Sequence, residues 1–329
     1  MPWLVMGALL ALALLSAALT WAARGYALRR QLMDHPGERR SHSVATPRGG
    51  GIAIVISLLA TAAVAMWAWP QAMPSLLVAA AGLLLVAGIG WWDDHRPLPA
   101  MRRLLVHFIA AGLLAGLVKI HGGSWLLALL VLFFTASLIN IWNFMDGING
   151  IASSQAIVVA LGFAPVLPWP WSLLAIALGL ACVGFLPFNF PRARIFLGDV
   201  GSGALGYAVA AVVAVASLRT DINWILLLVP LSPFLVDAGF TLLARIISGQ
   251  RWMEPHTQHV YQRAVQAGAS HALVTGMYFV LGLFSITVFN VSSNLQPRWE
   301  AVVAIAWFIT LSMLWLLLRN GMRLRQGTP

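Results

Sequence analysis

The sequence predicts an all-α fold, that of a polytopic integral membrane protein with about eleven transmembrane helices. Of its 329 residues, 60% are hydrophobic and only 9% are charged, and the mean hydropathy is +0.85. A soluble domain carries about 25% charged residues. With 9%, this chain has too few charged residues to cover the surface of a soluble protein. Apolar runs of about 20 residues, the length that crosses the hydrocarbon core as a helix, recur along the whole chain.

Turn residues set the limits of the predicted spans. Prolines and a Gly-Gly pair mark short turns on one side, whereas the connections on the other side are longer and more polar. We expect these spans to form a single transmembrane domain over residues 1–329. The predicted spans are 3–23, 50–68, 75–92, 103–120, 125–142, 148–166, 171–187, 202–218, 222–244, 271–291 and 298–318.

Basic residues set the orientation. All but three of the 20 Lys and Arg residues fall in alternate connections and the C-terminal tail, the positive-inside pattern; the exceptions are Lys119, Arg219 and Arg298. We therefore expect a periplasmic N-terminus and a cytoplasmic C-terminus. Arginines follow the first apolar run rather than precede it, which is inverted for a cleaved signal peptide. The net charge of +10 is explained by topology and predicts no nucleic-acid partner.

Most acidic and histidine side chains fall on the same predicted inner face. The outer connections hold His121, Asp221 and Glu300. This asymmetry favours an enzyme that works at the cytoplasmic surface. A transporter or flippase for a lipid or sugar phosphate is the alternative, although such proteins more often place ionisable groups near the midplane. The single cysteine, Cys182, excludes an internal disulfide framework, and no Cys/His spacing resembles a zinc site.

The stretch 189–203 carries a pattern suited to phosphate chemistry. Asp199 lies between Gly198 and Gly201, which let a ligand approach the backbone closely. Ser202 is expected to cap the following helix, whose positive N-terminal end would face a phosphate. A carboxylate beside a phosphate usually shares a divalent cation with it, most often Mg²⁺. An ordinary polar loop between two spans is the alternative.

Two further inner connections carry acids. Asp93 and Asp94 close the third span, and adjacent carboxylates repel each other unless they are hydrated or share a cation. An interfacial tryptophan belt that ends in a solvated cap is the alternative there. Asp146 lies in a predicted tight turn between Asn143 and Asn149. A plain turn between two spans does not need two asparagines and an aspartate. Their presence indicates that a ligand approaches this turn closely.

Histidines and arginines complete the inner face. His256 and His259 lie three residues apart without a third metal ligand nearby, so hydrogen bonding to a phosphate or sugar is expected rather than ligation; a solvated loop helix is the alternative. Arg48 either holds a phosphate or only determines topology. Asp237 is the one acid inside a predicted span, and an unpaired acid at the membrane centre would cost about 2.5–3.5 kcal/mol.

The inner-face motifs together resemble the polyprenyl-phosphate N-acetylhexosamine-1-phosphate transferase family, which includes the phospho-MurNAc-pentapeptide translocase. The resemblance extends from Asp34 to Arg263, with the motifs in the family's order. The runs Thr46-Pro-Arg-Gly-Gly-Gly51 and His256-x-x-His259-x-Tyr-Gln262 look most similar to the enzymes that initiate O-antigen synthesis.

The resemblance implies a role for each matching residue. Asp199 matches the family's magnesium ligand, and Asp93 and Asp94 match its paired acids near the lipid phosphate. Asn189 and Phe196 match residues that hold and stack on uracil in the muramyl enzyme. The family often has an acid where this chain has Asn149. The expected catalytic set is Asp93, Asp94, Asp146, Asp199, His256 and His259; the expected substrate-binding set is Arg48, Asn143, Asn149, Asn189, Arg194, Phe196 and Arg263; the expected metal ligands are Asp199 and Asp93.

The resemblance also implies a reaction. The phosphate of undecaprenyl phosphate would attack the β-phosphorus of a UDP-N-acetylhexosamine, of the UDP-GlcNAc, UDP-FucNAc or UDP-QuiNAc type, and UMP would leave. The implied cofactor is Mg²⁺, with Mn²⁺ as a substitute. The implied setting is the cytoplasmic face of a bacterial inner membrane, at the start of O-antigen or other surface polysaccharide synthesis, with a homodimer as a candidate assembly.

A strong general base is not needed for this reaction. A phosphate monoester with a second pKa of about 6 is already largely dianionic at pH 7. We therefore expect Asp93 and Asp94 to organise the metal or the lipid phosphate, with a base role as the lesser hypothesis.

Overall fold

The computed structural model describes residues 2–37, 44–250 and 256–326, and these parts of the chain are predominantly helical. The α-helices that they contain are α1 (Pro2–Arg29), α2 (Ile52–Ala68), α3 (Met73–His95), α4 (Ala100–Ile120), α5 (Trp125–Met145), α6 (Ile151–Phe163), α7 (Trp171–Asn189), α8 (Asp199–Arg219), α9 (Trp224–Leu227), α10 (Ser232–Ile247), α11 (Val260–Gln266), α12 (His271–Ser292) and α13 (Pro297–Gln326).

The predicted membrane architecture is confirmed. Among the described residues, 9 helical segments are long and apolar enough to cross a membrane. Two further apolar helices, α2 and α6, are shorter, with 17 and 13 residues. Each predicted span coincides with one of these helical segments, and the fold is therefore that of an all-α, multi-pass membrane protein.

The ninth predicted span, 222–244, is not one continuous helix. It consists of α9, a 3₁₀ turn over Val229–Leu231, and α10. Pro230 and Pro233 stand in the first turn of the second and third pieces. Proline has no N–H to donate and its ring excludes the preceding helical turn, so the span is built from separate pieces.

Helix α8 forms the centre of the molecule. In its most apolar window, 89% of the residues are buried, and it packs against α3, α5 and α6. Glycines allow this close approach: a Cβ on Gly206 would overlap the α5 backbone at Leu138, and a Cβ on Gly90 of α3 would overlap the carbonyl oxygen of Asp199. Small residues at helix crossings are typical of membrane bundles. The first residue of α8 is thus held by packing on α3.

The predicted start of α8 is wrong by one turn. The helix begins at Asp199, after Gly198 with φ of 72°, whereas the sequence pattern places its cap at Ser202. Ser202 lies inside the helix, where its hydroxyl accepts a hydrogen bond from Asn143 at 3.1 Å. The capping role passes to Asp94 of the neighbouring helix α3.

A short ribbon ties the connection between α1 and α2 to the loop before α8. Strand β1 (Met33–Asp34) pairs antiparallel with β2 (Thr46–Pro47). Phe196 N–H donates to the carbonyl of Pro47 at 2.8 Å, and Gly50 N–H donates to the carbonyl of Phe196 at 2.9 Å. Segments separated by about 150 residues of chain are therefore neighbours. The inner-face positions Glu38, Arg39, Arg40, His42 and Glu254 lie outside the described residues.

Candidate active site

A guanidinium lies between two carboxylates at the N-terminal end of α8. Arg103 Nη1 is 2.5 Å from Asp199 Oδ2 and 2.9 Å from Asp93 Oδ2. The backbone N–H of Leu98 donates to Asp93 Oδ1 at 2.6 Å. Helices α3, α4 and α8 each contribute one member of this triad. The structure therefore brings together the two acids that the sequence predicts as metal ligands.

Asp94 is buried, and both of its carboxylate oxygens hold the start of α8. Oδ1 accepts from the backbone N–H of Asp199 and Oδ2 from that of Val200, each at 3.1 Å. These amides belong to the first helical turn, which has no acceptors of its own. Asp94 thus caps α8 from α3 and fixes the position of Asp199.

Arg48 reaches the same corner of the site. Its Nη2 donates to the carbonyl oxygen of Asp94 at 2.6 Å, and its Nε lies 3.8 Å from Asp94 Oδ1. The side chain is partly exposed, with 28% of its surface accessible. A cation of this kind beside the acidic pair can also face a phosphate.

The end of α5 contributes an amide and an acid. Asn143 Nδ2 donates to Asp199 Oδ1 at 3.1 Å. Asp146 follows the last turn of α5 as its C-cap residue. Burial raises the pKa of Asp146 well above its usual range, and the negative charges of Asp199 and Asp94 raise it further. Asp146 therefore lies within electrostatic reach of the other acids.

Two asparagines brace the loops around these acids. Asn189 is buried; its Oδ1 accepts from the N–H of Gly150 at 2.7 Å, and its Nδ2 donates to the carbonyl of Ile195 at 2.9 Å. Asn149 Nδ2 donates to the carbonyl of Pro191 at 3.0 Å. Both side chains join the turn after α5 to the loop before α8. The uracil contact expected for Asn189 stays a prediction. The side-chain amide of Asn189 already makes hydrogen bonds to Gly150 and Ile195, so it would contact uracil in addition to them.

Phe196 and Arg194 lie in the loop before α8. Phe196 is partly buried beside the ribbon. Arg194 is exposed, donates to the carbonyl of Pro187 at 2.6 Å and stacks over the ring of Phe188, 4.9 Å from its centroid. Its guanidinium is thus directed along the end of α7, and no bond to the acidic triad is among its described contacts.

The two predicted histidines precede α11. The rings of His256 and His259 have centroids 4.9 Å apart, and His259 stacks on Tyr261 at 5.8 Å. Burial lowers the pKa of His256 to about 4, helped by the nearby charges of His259 and Arg245. Burial also lowers the pKa of His259, against the raising effect of the Asp237 carboxylate. Both imidazoles are therefore neutral at pH 7.

The histidine segment is fastened to the turn that contains Asp146. Tyr261 OH donates to the carbonyl oxygen of Phe144 at 2.8 Å, and a Cβ on Gly147 would overlap this hydroxyl. Arg263, in α11, is partly buried. The segment before α11 and the turn between α5 and α6 thus form one wall of the site.

Arg103 and Tyr261 are the site members that the predicted residue set lacks. Charge counting assigns Arg103 to membrane topology, although it lies at the first turn of α4, ten residues after Asp93. That spacing is the only sequence signal for its role. Tyr261 lies within the motif His256-x-x-His259-x-Tyr-Gln262, but its aromatic character alone does not identify the hydrogen bond that it makes.

The acidic pair fits a hard divalent cation whose coordination is completed by substrate oxygens. In the parts of the chain that the structure describes, no group of three or more His, Cys, Asp or Glu residues could hold a metal by itself. Asp93 and Asp199 do converge on one positive charge, the Arg103 guanidinium. Mg²⁺ commonly binds one or two carboxylates together with phosphate oxygens and waters. This oxygen pair fits that pattern, with Arg103 as the competing cation.

These features define a multi-pass membrane protein with an acidic cleft, bridged by an arginine, at one end of its helices. The family model described as "Glycosyl transferase family 4" matches residues 76–217. That range contains all four of the predicted catalytic acids, Asp93, Asp94, Asp146 and Asp199.

Curated relatives match most of the chain. It is 30% identical to the decaprenyl-phosphate N-acetylglucosaminephosphotransferase of Mycolicibacterium smegmatis, over 94% of this chain and 88% of that protein. It is 26% identical to the probable undecaprenyl-phosphate N-acetylglucosaminyl 1-phosphate transferase of Bacillus subtilis, over 81% and 79%. It is 33% identical to the phospho-N-acetylmuramoyl-pentapeptide-transferase of Thermosynechococcus vestitus, over 70% and 66%. The chain belongs to glycosyl transferase family 4, and the family resemblance of its inner-face motifs is confirmed.

Proposed function

We propose that the protein transfers an N-acetylhexosamine 1-phosphate from a UDP-sugar to undecaprenyl phosphate and releases UMP. The names of the relatives support a sugar-phosphate transfer to a polyprenyl phosphate. The observation that carries the proposal is the convergence of Asp93, Asp199 and Arg103 on the N-terminal end of α8. Carboxylates, a guanidinium and a helix N-terminus are the groups that hold a metal-bound diphosphate.

The proposed step is a phosphoryl transfer. A phosphate oxygen of the lipid forms a bond to the β-phosphorus of the UDP-sugar. The bond from this phosphorus to the oxygen that it shares with the α-phosphorus breaks, and UMP leaves with that oxygen. Such reactions depend mainly on positioning and charge neutralisation, which Arg103, Arg48 and the amides of α8 can supply.

Asp199 and Asp93 would hold the cofactor, Mg²⁺ or Mn²⁺ in its place. When bound, this ion supplies neutralisation of the diphosphate charge. Asp146, whose pKa burial and neighbouring acids raise, would keep the local negative charge low. Asp94 acts in this proposal as the residue that positions Asp199, because both of its oxygens already accept backbone hydrogen bonds.

The remaining predicted residues would hold the UDP-sugar. His256 and His259, neutral at pH 7, suit hydrogen bonds with sugar hydroxyls or diphosphate oxygens. Asn143 and Arg263 would contact the diphosphate from two sides of the cleft. Phe196, with Asn189, Asn149 and Arg194 around it, would form the uridine end.

We place the reaction at the cytoplasmic face of a bacterial inner membrane, because the positive-inside pattern puts the site on that side. The motifs shared with O-antigen-initiating enzymes, Thr46–Gly51 and His256–Gln262, support a UDP-GlcNAc, UDP-FucNAc or UDP-QuiNAc substrate and a role in starting a surface polysaccharide.

The direct test is UMP release by purified protein. The reaction contains undecaprenyl phosphate, MgCl₂ and one member of a panel of UDP-sugars at a time. We expect release only with the lipid present, and a fall of at least about a hundredfold in Asp199→Asn, the size of losing one preorganised charge contact. Asp221→Asn, an exposed acid at the other end of the bundle, is the matched control. Transport of a lipid phosphate across liposomes without UMP release would instead establish the flippase alternative.

A further inference from the structure

A carboxylate inside the broken ninth span collects hydrogen bonds from three helices. Asp237 of α10 is 2% exposed. Its Oδ2 accepts from Tyr278 OH of α12 at 2.6 Å. Its Oδ1 accepts from Trp315 Nε1 of α13 at 3.1 Å and from Thr241 Oγ1 at 3.2 Å. An acid at this depth persists only where such donors replace water, so the surrounding helices are arranged around it.

The same carboxylate holds the start of α11. The backbone N–H of Val260 donates to Oδ1 at 2.9 Å and that of Tyr261 to Oδ2 at 3.3 Å. A helix is usually capped by a Ser, Thr, Asp or Asn at its own N-cap position. Here that position is His259. Asp237 accepts from the first two amides of the helix, and Gln262 Oε1 accepts from the N–H of His259 at 3.3 Å.

Asp237 also lies beside the imidazole itself. His259 Nδ1 is 3.9 Å from Asp237 Oδ1, and His259 is 3% exposed. At 3.9 Å the two groups are too far apart for a hydrogen bond, so the carboxylate acts on this ring through its charge and through the backbone that it holds. The acid therefore holds the backbone that carries this histidine and lies beside its ring.

We infer that Asp237 is a positioning residue for the transfer reaction, which fixes His259 and the adjacent His256 relative to the Asp146 turn. The link to that turn is the hydrogen bond from Tyr261 OH to Phe144, two residues before Asp146. The inference rests on the proposed function. It differs from a purely structural role because it ties Asp237 to the handling of the UDP-sugar rather than to folding alone.

The kinetic test compares Asp237→Asn with Glu300→Gln in the full-length protein. Glu300 is also buried, 3% exposed, and accepts a backbone hydrogen bond from Asn223 at 2.6 Å, but it lies near α9, away from the histidines. We expect kcat/KM for the UDP-sugar to fall about a hundredfold in Asp237→Asn, as for a reacting group displaced by about 1 Å. The KM for undecaprenyl phosphate and the values of Glu300→Gln should stay within about twofold of wild type, and Asp237→Glu should restore part of the loss. Equal losses in both variants would overturn the inference.

A second measurement does not depend on activity. Hydrogen–deuterium exchange in residues 256–266 should accelerate in Asp237→Asn and stay at the wild-type rate in Glu300→Gln. Wild-type protein that releases no UMP refutes the proposed function, whereas unchanged exchange in Asp237→Asn refutes the anchoring. If Asp237→Asn does not fold, Tyr278→Phe and Trp315→Phe keep the carboxylate and remove one donor each. We then expect about a tenfold loss of kcat/KM in each, the size of a hydrogen bond to a charged group; wild-type values in both would overturn the inference.

Discussion

Arg103 determines the charge balance of the acidic cleft. One nitrogen of its guanidinium contacts both Asp93 and Asp199, which would otherwise repel each other. In the proposed function a divalent cation uses the same two carboxylates. The guanidinium and the metal therefore compete for the oxygens of Asp93 and Asp199. Both are positively charged, so both attract a diphosphate.

Arg103→Gln should separate these two effects. We expect kcat to fall about a hundredfold because a charge aimed at the diphosphate is lost, while the half-saturating Mg²⁺ concentration decreases because the competitor is gone. The measurement is UMP release as a function of MgCl₂. Arg102→Gln, the exposed neighbour, serves as the control. An unchanged or higher Mg²⁺ requirement in Arg103→Gln would contradict the competition.

Asp146 has a pKa raised by burial and by its acidic neighbours, and this makes stability depend on pH. The unfolded chain loses the proton near pH 4, whereas the folded protein retains it to a higher pH. The folded state then binds more protons, so its stability falls as pH rises from about 4 towards the raised pKa.

Asp146→Asn should remove this dependence. Relative to wild type, the variant should gain stability with rising pH, by at most about 1.4 kcal/mol per pH unit. Thermal unfolding in detergent at pH 5 and pH 8 measures the difference. The exposed Asp221→Asn variant should behave as wild type at both values. A stability difference that does not grow between the two pH values would disprove the assignment.

Asp94 shows how adjacent acids can have different tasks. Its oxygens cap α8, while those of Asp93 meet Arg103 and Leu98. Asn keeps one of the two acceptor oxygens and Ala keeps neither, and loss of a cap typically costs about 1 kcal/mol. We expect Asp94→Asn to retain more stability and activity than Asp94→Ala, with the acidic limb of the pH–rate profile unchanged. Loss of that limb in Asp94→Asn would instead support the base role.

At the scale of elements, the contact between α3 and α8 sets the position of the chemistry. Gly90 touches the backbone of Asp199, so even a methyl group there overlaps the carbonyl oxygen. A Cβ added to Gly88, in the same helix, would meet no other part of the protein within 4 Å. The two glycines therefore form a matched pair for testing the contact.

Gly90→Ala should displace the first turn of α8 and lower kcat/KM about a hundredfold, with the protein still folded in detergent. Gly88→Ala should retain full activity, because alanine favours a helix over glycine and meets no neighbour. UMP release and size-exclusion profiles of both variants test this. Equal activity in the two variants would show that the approach of α3 to Asp199 is not critical.

The sequence predicts the transmembrane spans from the length of their apolar runs. It does not predict features that depend on tertiary contacts. Apolar runs of about 20 residues predict the spans. The interruption at Pro230 falls within such a run, so hydropathy does not reveal it. The cap expected at Ser202 is replaced by Asp94, 105 residues before Asp199 in the chain, which no local pattern can indicate.

At the scale of the whole molecule, the site is assembled from connections far apart in sequence. The acids are predictable because their residue types are unusual in a membrane protein and lie on one face. The role of Arg103 is not predictable from the sequence. Its two acidic partners lie 10 and 96 residues away in the chain, and a count of charges does not distinguish such an arginine from one in solvent. The anchoring contacts of Asp237 span up to 78 residues and are equally hidden.

The orientation remains a prediction that labelling can test. The one native cysteine, Cys182, is buried, so single exposed cysteines can be introduced directly. Gln71→Cys should react with a membrane-impermeant maleimide in intact cells, whereas Ser248→Cys should react only after permeabilisation. Both positions are exposed in the structure. The reverse labelling pattern would place the acidic cleft outside the cell.

The acids and the histidine segment depend on different supports. Asp93, Asp94 and Asp199 are held among α3, α4 and α8, whereas Asp237 fastens α11 to α12 and α13. In the proposed function the histidine segment contacts the sugar, so changes within it should alter the preferred sugar and leave the support of Asp93, Asp94 and Asp199 unchanged. A library confined to residues 256–266 is where new specificities should be sought.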